Sequence, residues 1–260
     1  MSLPKHISYS ELSDWSRCTH LHKKAWIERV TEFEGNEFTA FGRAIHEACE
    51  KSLIDDSVND EEIFQIGFSR ELKQLMEANV EVDSKLIKEM RKSATEILPE
   101  LRPALTDYFG DYEVFKTEDT LYEPINDTDI NFKGFIDAII KVGDIYHVVD
   151  WKTAGWGWKP EKKADKMIGY QLTLYKHFFC QKYGISPENV ETHFALLKRT
   201  AKKDRVEIFR ITSGPKKTEN ALKLLNQALY NITKRISVKN RLSCTKPYRC
   251  KLYGTEHCTR

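Results

Sequence analysis

Ile145-Tyr146-His147-Val148-Val149-Asp150-Trp151-Lys152 is the stretch from which the rest of this chain is read. Its opening run of β-branched and aromatic residues reads as a buried strand. Side chains alternate along a strand, so Asp150 and Lys152 leave its end on the same side. A carboxylate and an ammonium so placed can hold a metal and handle a proton or a developing negative charge. Thirteen residues before Asp150, Gly134-Phe135-Ile136-Asp137 puts a second acid at the start of another apolar strand. The intervening Gly143-Asp144 is a hairpin turn that makes the two strands neighbours. Far upstream, Gly42-Arg43-Ala44-Ile45-His46-Glu47 adds a histidine.

Working outward, three segments form a meander: residues 112–125, 131–142 and 145–153. Before them the pattern is helical. Residues 8–30 read as a helix starting near Ser8 or Ser10, with Leu12, Trp15 and Leu21 on its apolar face. Residues 39–54 form a second helix, carrying His46, after a loop containing Gly35. Helices follow at 60–79 and 83–108, and Pro99 and Pro103 are expected to break the latter. After the meander come a helix at 164–183, strands at 191–199 and 205–212, and a helix at 215–238 whose Pro215 suits a first turn. The tail from Arg241 has no periodicity and three cysteines. This order predicts an α/β fold, a mixed central sheet flanked by helices, with a helical front end. The expected organisation is one domain over 1–260: a helical part at 1–110, an α/β core at 111–212, and a helix with its cysteine tail at 213–260.

The bulk composition excludes little. Apolar residues make up 40%, ordinary for a globular chain, and 41 basic residues nearly cancel 39 acidic ones, so net charge neither demands nor forbids a nucleic-acid partner. No apolar stretch is long enough to cross a bilayer, and Met1-Ser2-Leu3-Pro4-Lys5-His6 lacks the apolar core of a signal peptide. The expectation is a cytoplasmic protein with no membrane partner. In that reducing setting its six cysteines are buried thiols or metal ligands rather than disulfides. No Gly-x-x-x-x-Gly-Lys-Ser/Thr phosphate loop is present, so any ATP-driven motor belongs to a partner.

Hard cations such as Mg2+ and Mn2+ take oxygen ligands. Asp137 and Asp150, at corresponding places on adjacent strands, can share one, and the Trp151 carbonyl adds an oxygen. His46 suits Mn2+ somewhat better than Mg2+. Lys152 would orient or deprotonate an attacking water, or stabilise charge on a phosphate. Any one of these short motifs alone reads more readily as ordinary strand-end charge, or as a surface histidine.

As an ordered set they resemble the PD-(D/E)XK nuclease superfamily. His46 within Gly-x-x-x-His-Glu, Gly-Phe-Ile-Asp137, Asp150-Trp-Lys152-Thr and Gln171-Leu-Thr-Leu-Tyr175 look like its RecB-type branch. That branch includes the AddB and RecB nuclease domains and CRISPR-associated and phage RecB-like exonucleases. The resemblance runs from about Ser8 to the C-terminus. It implies a restriction-endonuclease-like core, metal binding by His46, Asp137, Asp150 and the Trp151 carbonyl, catalysis by Lys152, and Gln171 and Tyr175 lining the site from one helix face. Many relatives carry Glu where Asp150 stands. Glu123, on the preceding strand, is a weaker candidate for an accessory acid.

Cys18, with Cys244, Cys250 and Cys258, matches the layout by which iron–sulfur members of this branch tie their two ends together through a [4Fe–4S] cluster. The spacing between the last three is longer than in many relatives. Zinc is the alternative, with His257 as a substitute ligand, and unliganded thiols remain a third reading. Cys49 and Cys180 fall within helices and read as apolar core.

Gly155-Trp156-Gly157-Trp158-Lys159, followed by Lys162, Lys163 and Lys166, reads two ways: tryptophans stacking on bases while lysines meet phosphates, or a loop pinned to the core. The turn bearing Arg199, Lys202, Lys203 and Arg205 is a second backbone contact or a solvated hairpin end. The leading expectation is therefore a metal-dependent DNA exonuclease. It would act on single-stranded DNA or free ends in recombination, repair or phage replication, with a helicase or recombination protein as a possible partner. A structure-specific endonuclease and a non-catalytic binding module that keeps the fold are the alternatives.

Overall fold

The computed structural model describes residues 4–30, 35–126, 128–245 and 249–259. It divides into two compact units: Met1–Glu34, Tyr122–Gly134 and Gly214–Arg260 make the first, Gly35–Leu121 and Phe135–Ser213 the second.

The second unit holds most of the α/β core, whose second and third strands each extend into the first unit's Tyr122–Gly134. Helices α3 (Glu37–Ile54), α4 (Asp60–Glu77) and α5 (Ser84–Phe109) precede strands β2 (Glu113–Pro124), β3 (Asn131–Val142) and β4 (Ile145–Ala154). Short α6 (Pro160–Lys163), long α7 (Lys166–Tyr183), β5 (Val190–Lys198) and β6 (Val206–Arg210) follow. The sheet is mixed, as expected. β2 pairs β3, β3 pairs β4 antiparallel, β4 pairs β5 parallel, and β5 pairs β6 antiparallel. Gly143 closes the β3–β4 hairpin at φ +57°, a left-handed conformation that glycine adopts without strain.

Alternation along β4 separates two faces. Val149 and Trp151 bury against Phe41, Ala44, Ile45, Phe64, Phe68, Ile97 and Leu101 of the three front helices. Tyr146 meets Phe179 of α7 on the other face, ring centroids 5.8 Å apart. The helices begin where their caps dictate. Asn36 and Thr39 form a reciprocal capping box on α3, and Asn59, Asp83 and Asp165 cap α4, α5 and α7. Each such cap contributes about 1 kcal/mol.

One expectation fails here. Pro99 and Pro103 do not break α5, which runs unbroken through both. Both prolines are on the exposed face, so water can satisfy the carbonyls they leave unbonded, while Ile97, Leu98, Leu101 and Leu105 on the opposite face are buried. Burial of that stripe outweighs the proline penalty. Leu101→Ala is expected to destabilise the protein by about 2–5 kcal/mol, measured by urea unfolding.

In the first unit, β1 (His6–Ser8) pairs parallel with the opening residues of β3, Ile7 opposite Phe132. The single helix expected over 8–30 is instead α1 (Tyr9–Arg17), α2 (Thr19–His22) and a π-helical turn, Lys23–Ile27. The break is at Cys18, whose backbone is extended at φ −164°, ψ 115°. Helix α8 (Pro215–Thr233) packs on α1 and ends five residues before the expected limit at 238. Among the described residues no helix is long and apolar enough to cross a membrane.

Candidate active site

The core unit gathers the expected site residues from four elements. The register that sets Ala138 opposite Val149 sets Asp137 opposite Asp150 at the next step. Both carboxylates are buried. Asp137 Oδ2 accepts a hydrogen bond from the Trp151 backbone N–H at 2.7 Å, and His46 Nδ1 lies 3.7 Å from the same oxygen. Lys152 Nζ lies 2.6 Å from Asp150 Oδ2. From α7, Gln171 Nε2 donates to Asp150 Oδ1 at 2.7 Å and to the Tyr175 hydroxyl at 3.3 Å. His46, Asp137, Asp150, Lys152, Gln171 and Tyr175 are thus brought together. The Trp151 side chain is core, and its backbone runs between the two acids.

The electrostatics are those of a site short of positive charge. Burial, then repulsion from Asp150, raises the Asp137 carboxyl well above its usual range, and burial also raises Asp150 against the pull of Lys152. Burial, then the Lys152 ammonium, drives His46 down to about 3, so its ring is neutral with a lone pair to offer. Burial pushes the Tyr175 phenol up.

Two acids escaped the sequence reading. Glu50 follows His46 by one helical turn on α3, and its carboxylate, the His46 ring and Asp137 all lie within 4.8 Å of one another. Burial, then the neighbouring Glu118 of β2, raises its carboxyl to about 9, and its Oε1 has no hydrogen-bond partner. Glu118 is held at φ +48° in mid-strand, an uncommon backbone conformation, and its side chain lies beside Glu50. The His46-x-x-x-Glu50 spacing was readable, whereas the Glu118 backbone was not. Glu123 stands five residues further along β2, in the first unit.

A raised carboxyl pKa carries a definite pH dependence. Below about pH 4.5 Glu50 is protonated folded or unfolded; above that the unfolded chain ionises first, so stability falls until the folded carboxyl titrates at about 9. The metal-free protein is therefore expected to lose stability steadily from pH 5 to 9. In Glu50→Gln, urea midpoints taken in chelator across that range should vary less with pH.

The following loop divides its two tryptophans between the two readings. Trp158 is anchored, its ring 5.3 Å from Phe194 and 6.0 Å from Phe209, while Trp156 is 65% exposed. Lys162 Nζ sits 4.3 Å over the Trp158 ring, and Lys163 pairs with Glu207 at 2.6 Å. In the basic turn, Arg205 is buried and pairs with Glu96, and Arg199 stacks 4.7 Å over Phe38; Lys202 and Lys203 face solvent.

In the first unit, Cys18, Cys244, Cys250 and Cys258 line one small cavity with His20, Leu21 and Asn240. Cys18 Sγ accepts from the Asn240 N–H at 3.3 Å, and Arg241 Nη1 approaches Cys258 Sγ at 4.0 Å. Among the described residues no three of these sulfurs lie within 4.8 Å of one another. The His257 ring is 3.6 Å from Glu256, and its carbonyl accepts from His20. Cys49 and Cys180 are buried in α3 and α7, as expected.

No curated protein matches the chain significantly. Among solved structures, a candidate exonuclease from Eubacterium rectale is similar at a TM-score of 0.59 and 12% identity, over 93% of this chain and 86% of that one. At that identity the likeness is one of fold. SSO0001 aligns over 88% of this chain and 95% of its own at 14% identity, with a TM-score of 0.34, too low to carry an argument. The sequence profile of the PD-(D/E)XK nuclease superfamily matches residues 6–258. With nearly the whole chain matched, this protein belongs to the PD-(D/E)XK nuclease superfamily.

Proposed function

We propose that this chain is a metal-dependent deoxyribonuclease of the RecB-type branch, acting as an exonuclease on single-stranded DNA or free ends. The observation that carries the reading is the pairing of buried Asp137 and Asp150 with Lys152 at 2.6 Å and a neutral His46 at 3.7 Å. Two buried carboxylates with raised pKa values are short of a cation, and Glu50 Oε1 adds an orphaned acceptor. The donor set of carboxylates and imidazole fits Mg2+ or Mn2+. His46, Asp137, Asp150 and the Trp151 carbonyl would hold that ion. Bound there, it would lower the pKa of the attacking water and offset charge on the phosphate.

The chain's own residues do the rest. The Gln171 amide fixes one Asp150 oxygen, leaving the other directed at Lys152. Tyr175 holds Gln171 in turn. The Lys152 ammonium positions the water or neutralises a phosphate oxygen as negative charge builds there. Exposed Trp156 offers a face for one unpaired base, with Lys202 and Lys203 as backbone contacts. Trp156→Ala is expected to weaken binding of single-stranded DNA by about 1–3 kcal/mol, read by fluorescence anisotropy, with the fold intact. Attack on ends rather than internal bonds is carried over from the resemblance to RecB-type exonucleases. Recombination, repair or phage replication would use such an activity, with unwinding by a partner helicase.

A [4Fe–4S] cluster on Cys18, Cys244, Cys250 and Cys258 forms part of the same proposal. Four thiols on one cavity, with an N–H directed at one sulfur, are the donor set such a cluster takes. A single zinc would need thiolates about 3.8 Å from one another, from its ~2.3 Å bonds. The cluster would tie the tail to Cys18, at the break between α1 and α2. Cys18→Ala is expected to remove the brown absorption of anaerobically purified protein and lower its Tm. A colourless, iron-free wild type would exclude the cluster.

The deciding assay is cleavage of end-labelled single-stranded DNA with Mg2+ or Mn2+, wild type against Asp150→Ala. Metal-dependent release of labelled mononucleotides or short oligonucleotides by the wild type alone supports the exonuclease. Internal cuts confined to branched substrates would make it a structure-specific endonuclease, and binding without cleavage a non-catalytic module.

A further inference from the structure

On the face of β4 opposite Asp150, a second constellation is built from residues that the nuclease site does not use. His147 of β4 stands directly across from Glu191 of the parallel strand β5, and His193, two residues on, shares their face. His147 Nδ1 and His193 Nε2 are 3.0 Å apart. Glu191 Oε2 is 3.7 Å from each of them. The first distance is that of a hydrogen bond between the two rings, while the Glu191 carboxylate, brought alongside by the strand register, lies beyond hydrogen-bond reach of either ring.

We propose that His147, Glu191 and His193 form a binding site for one divalent transition-metal ion of the zinc class, independent of the nuclease site. The point equidistant from the three ligand atoms lies about 2.0 Å from each, which is the bond length zinc makes to imidazole nitrogen and carboxylate oxygen. Two imidazoles and one carboxylate are borderline donors that favour zinc, copper or nickel over magnesium.

The surroundings are those of a held ligand set. His193 Nδ1 faces the Tyr108 hydroxyl at 3.4 Å, which fixes the ring so that Nε2 points inward. Arg210 Nη2 holds the other Glu191 oxygen at 2.8 Å. Phe109 packs on both imidazoles, with centroids 4.8 and 5.2 Å away. Glu191 keeps 26% of its side chain exposed, leaving water access to a fourth position. An ion here would clip β4 to β5 near their starts.

Zinc chloride is the probe. Equilibrium dialysis of the full chain is expected to show His147→Gln and His193→Gln each binding one zinc fewer per chain than the wild type, and zinc-edge anomalous diffraction to place a peak between the two rings. Equal stoichiometry in wild type and both variants, or anomalous peaks only elsewhere, would overturn the proposal. If His193→Gln does not fold, partly exposed Glu191→Gln takes its place, with at least tenfold weaker zinc binding expected and unchanged affinity counting against the site. Failure of the nuclease reading leaves this result untouched, because neither readout depends on cleavage.

Discussion

Lys152→Ala is expected to lower the turnover of DNA cleavage by about 10²–10³-fold, the cost of removing one preorganised donor from a developing oxyanion. Its ammonium lies 2.6 Å from Asp150 Oδ2 and extends from the strand that carries that acid. Alanine leaves β4 and its pairing with β5 in place, since Lys152 contributes little to the core. DNA affinity should fall far less than turnover, which separates a catalytic lysine from a phosphate anchor. Single-turnover cleavage and anisotropy on the same samples make the comparison. Cleavage at the wild-type rate would show that the lysine serves only to balance Asp150.

Asp137→Asn is expected to abolish cleavage while leaving the metal-free protein as stable as the wild type, or more stable. The side-chain amide of the variant keeps an oxygen that can accept from the Trp151 N–H, now bonded to Asp137 at 2.7 Å. The substitution removes a buried carboxyl whose ionisation is opposed by burial and by Asp150. Function and stability thus pull in opposite directions at this position. Urea unfolding in chelator measures one effect and end-label release the other. A variant that unfolds at a much lower midpoint would make Asp137 a structural residue; one that cleaves normally would remove it from the site.

Much of this was legible in order and spacing. Runs of β-branched and aromatic residues marked β3 and β4, and the Gly143 turn between them set Asp137 against Asp150. The four-residue step from Gln171 to Tyr175 put both on one face of α7, where a single amide now bridges Asp150 and the phenol. Cys18 and the three tail cysteines line one cavity although more than 200 residues separate them in sequence.

By itself the sequence determined that β3 and β4 pair as a hairpin, which acids share a strand end and which helix lines them, because residue patterning and turn chemistry are local properties. Tertiary structure alone decided the rest. Pro99 and Pro103 stay inside α5 because the buried stripe opposite them outweighs two lost hydrogen bonds. Glu118 meets Glu50 across a long sequence separation, from a left-handed position in mid-strand. His147, Glu191 and His193 converge because β4 and β5 pair parallel in one register, and a shift of one residue would turn Glu191 and His193 to the other face. Pairing register and helix packing across long separations are cooperative outcomes of burial, and no local pattern of residues encodes them.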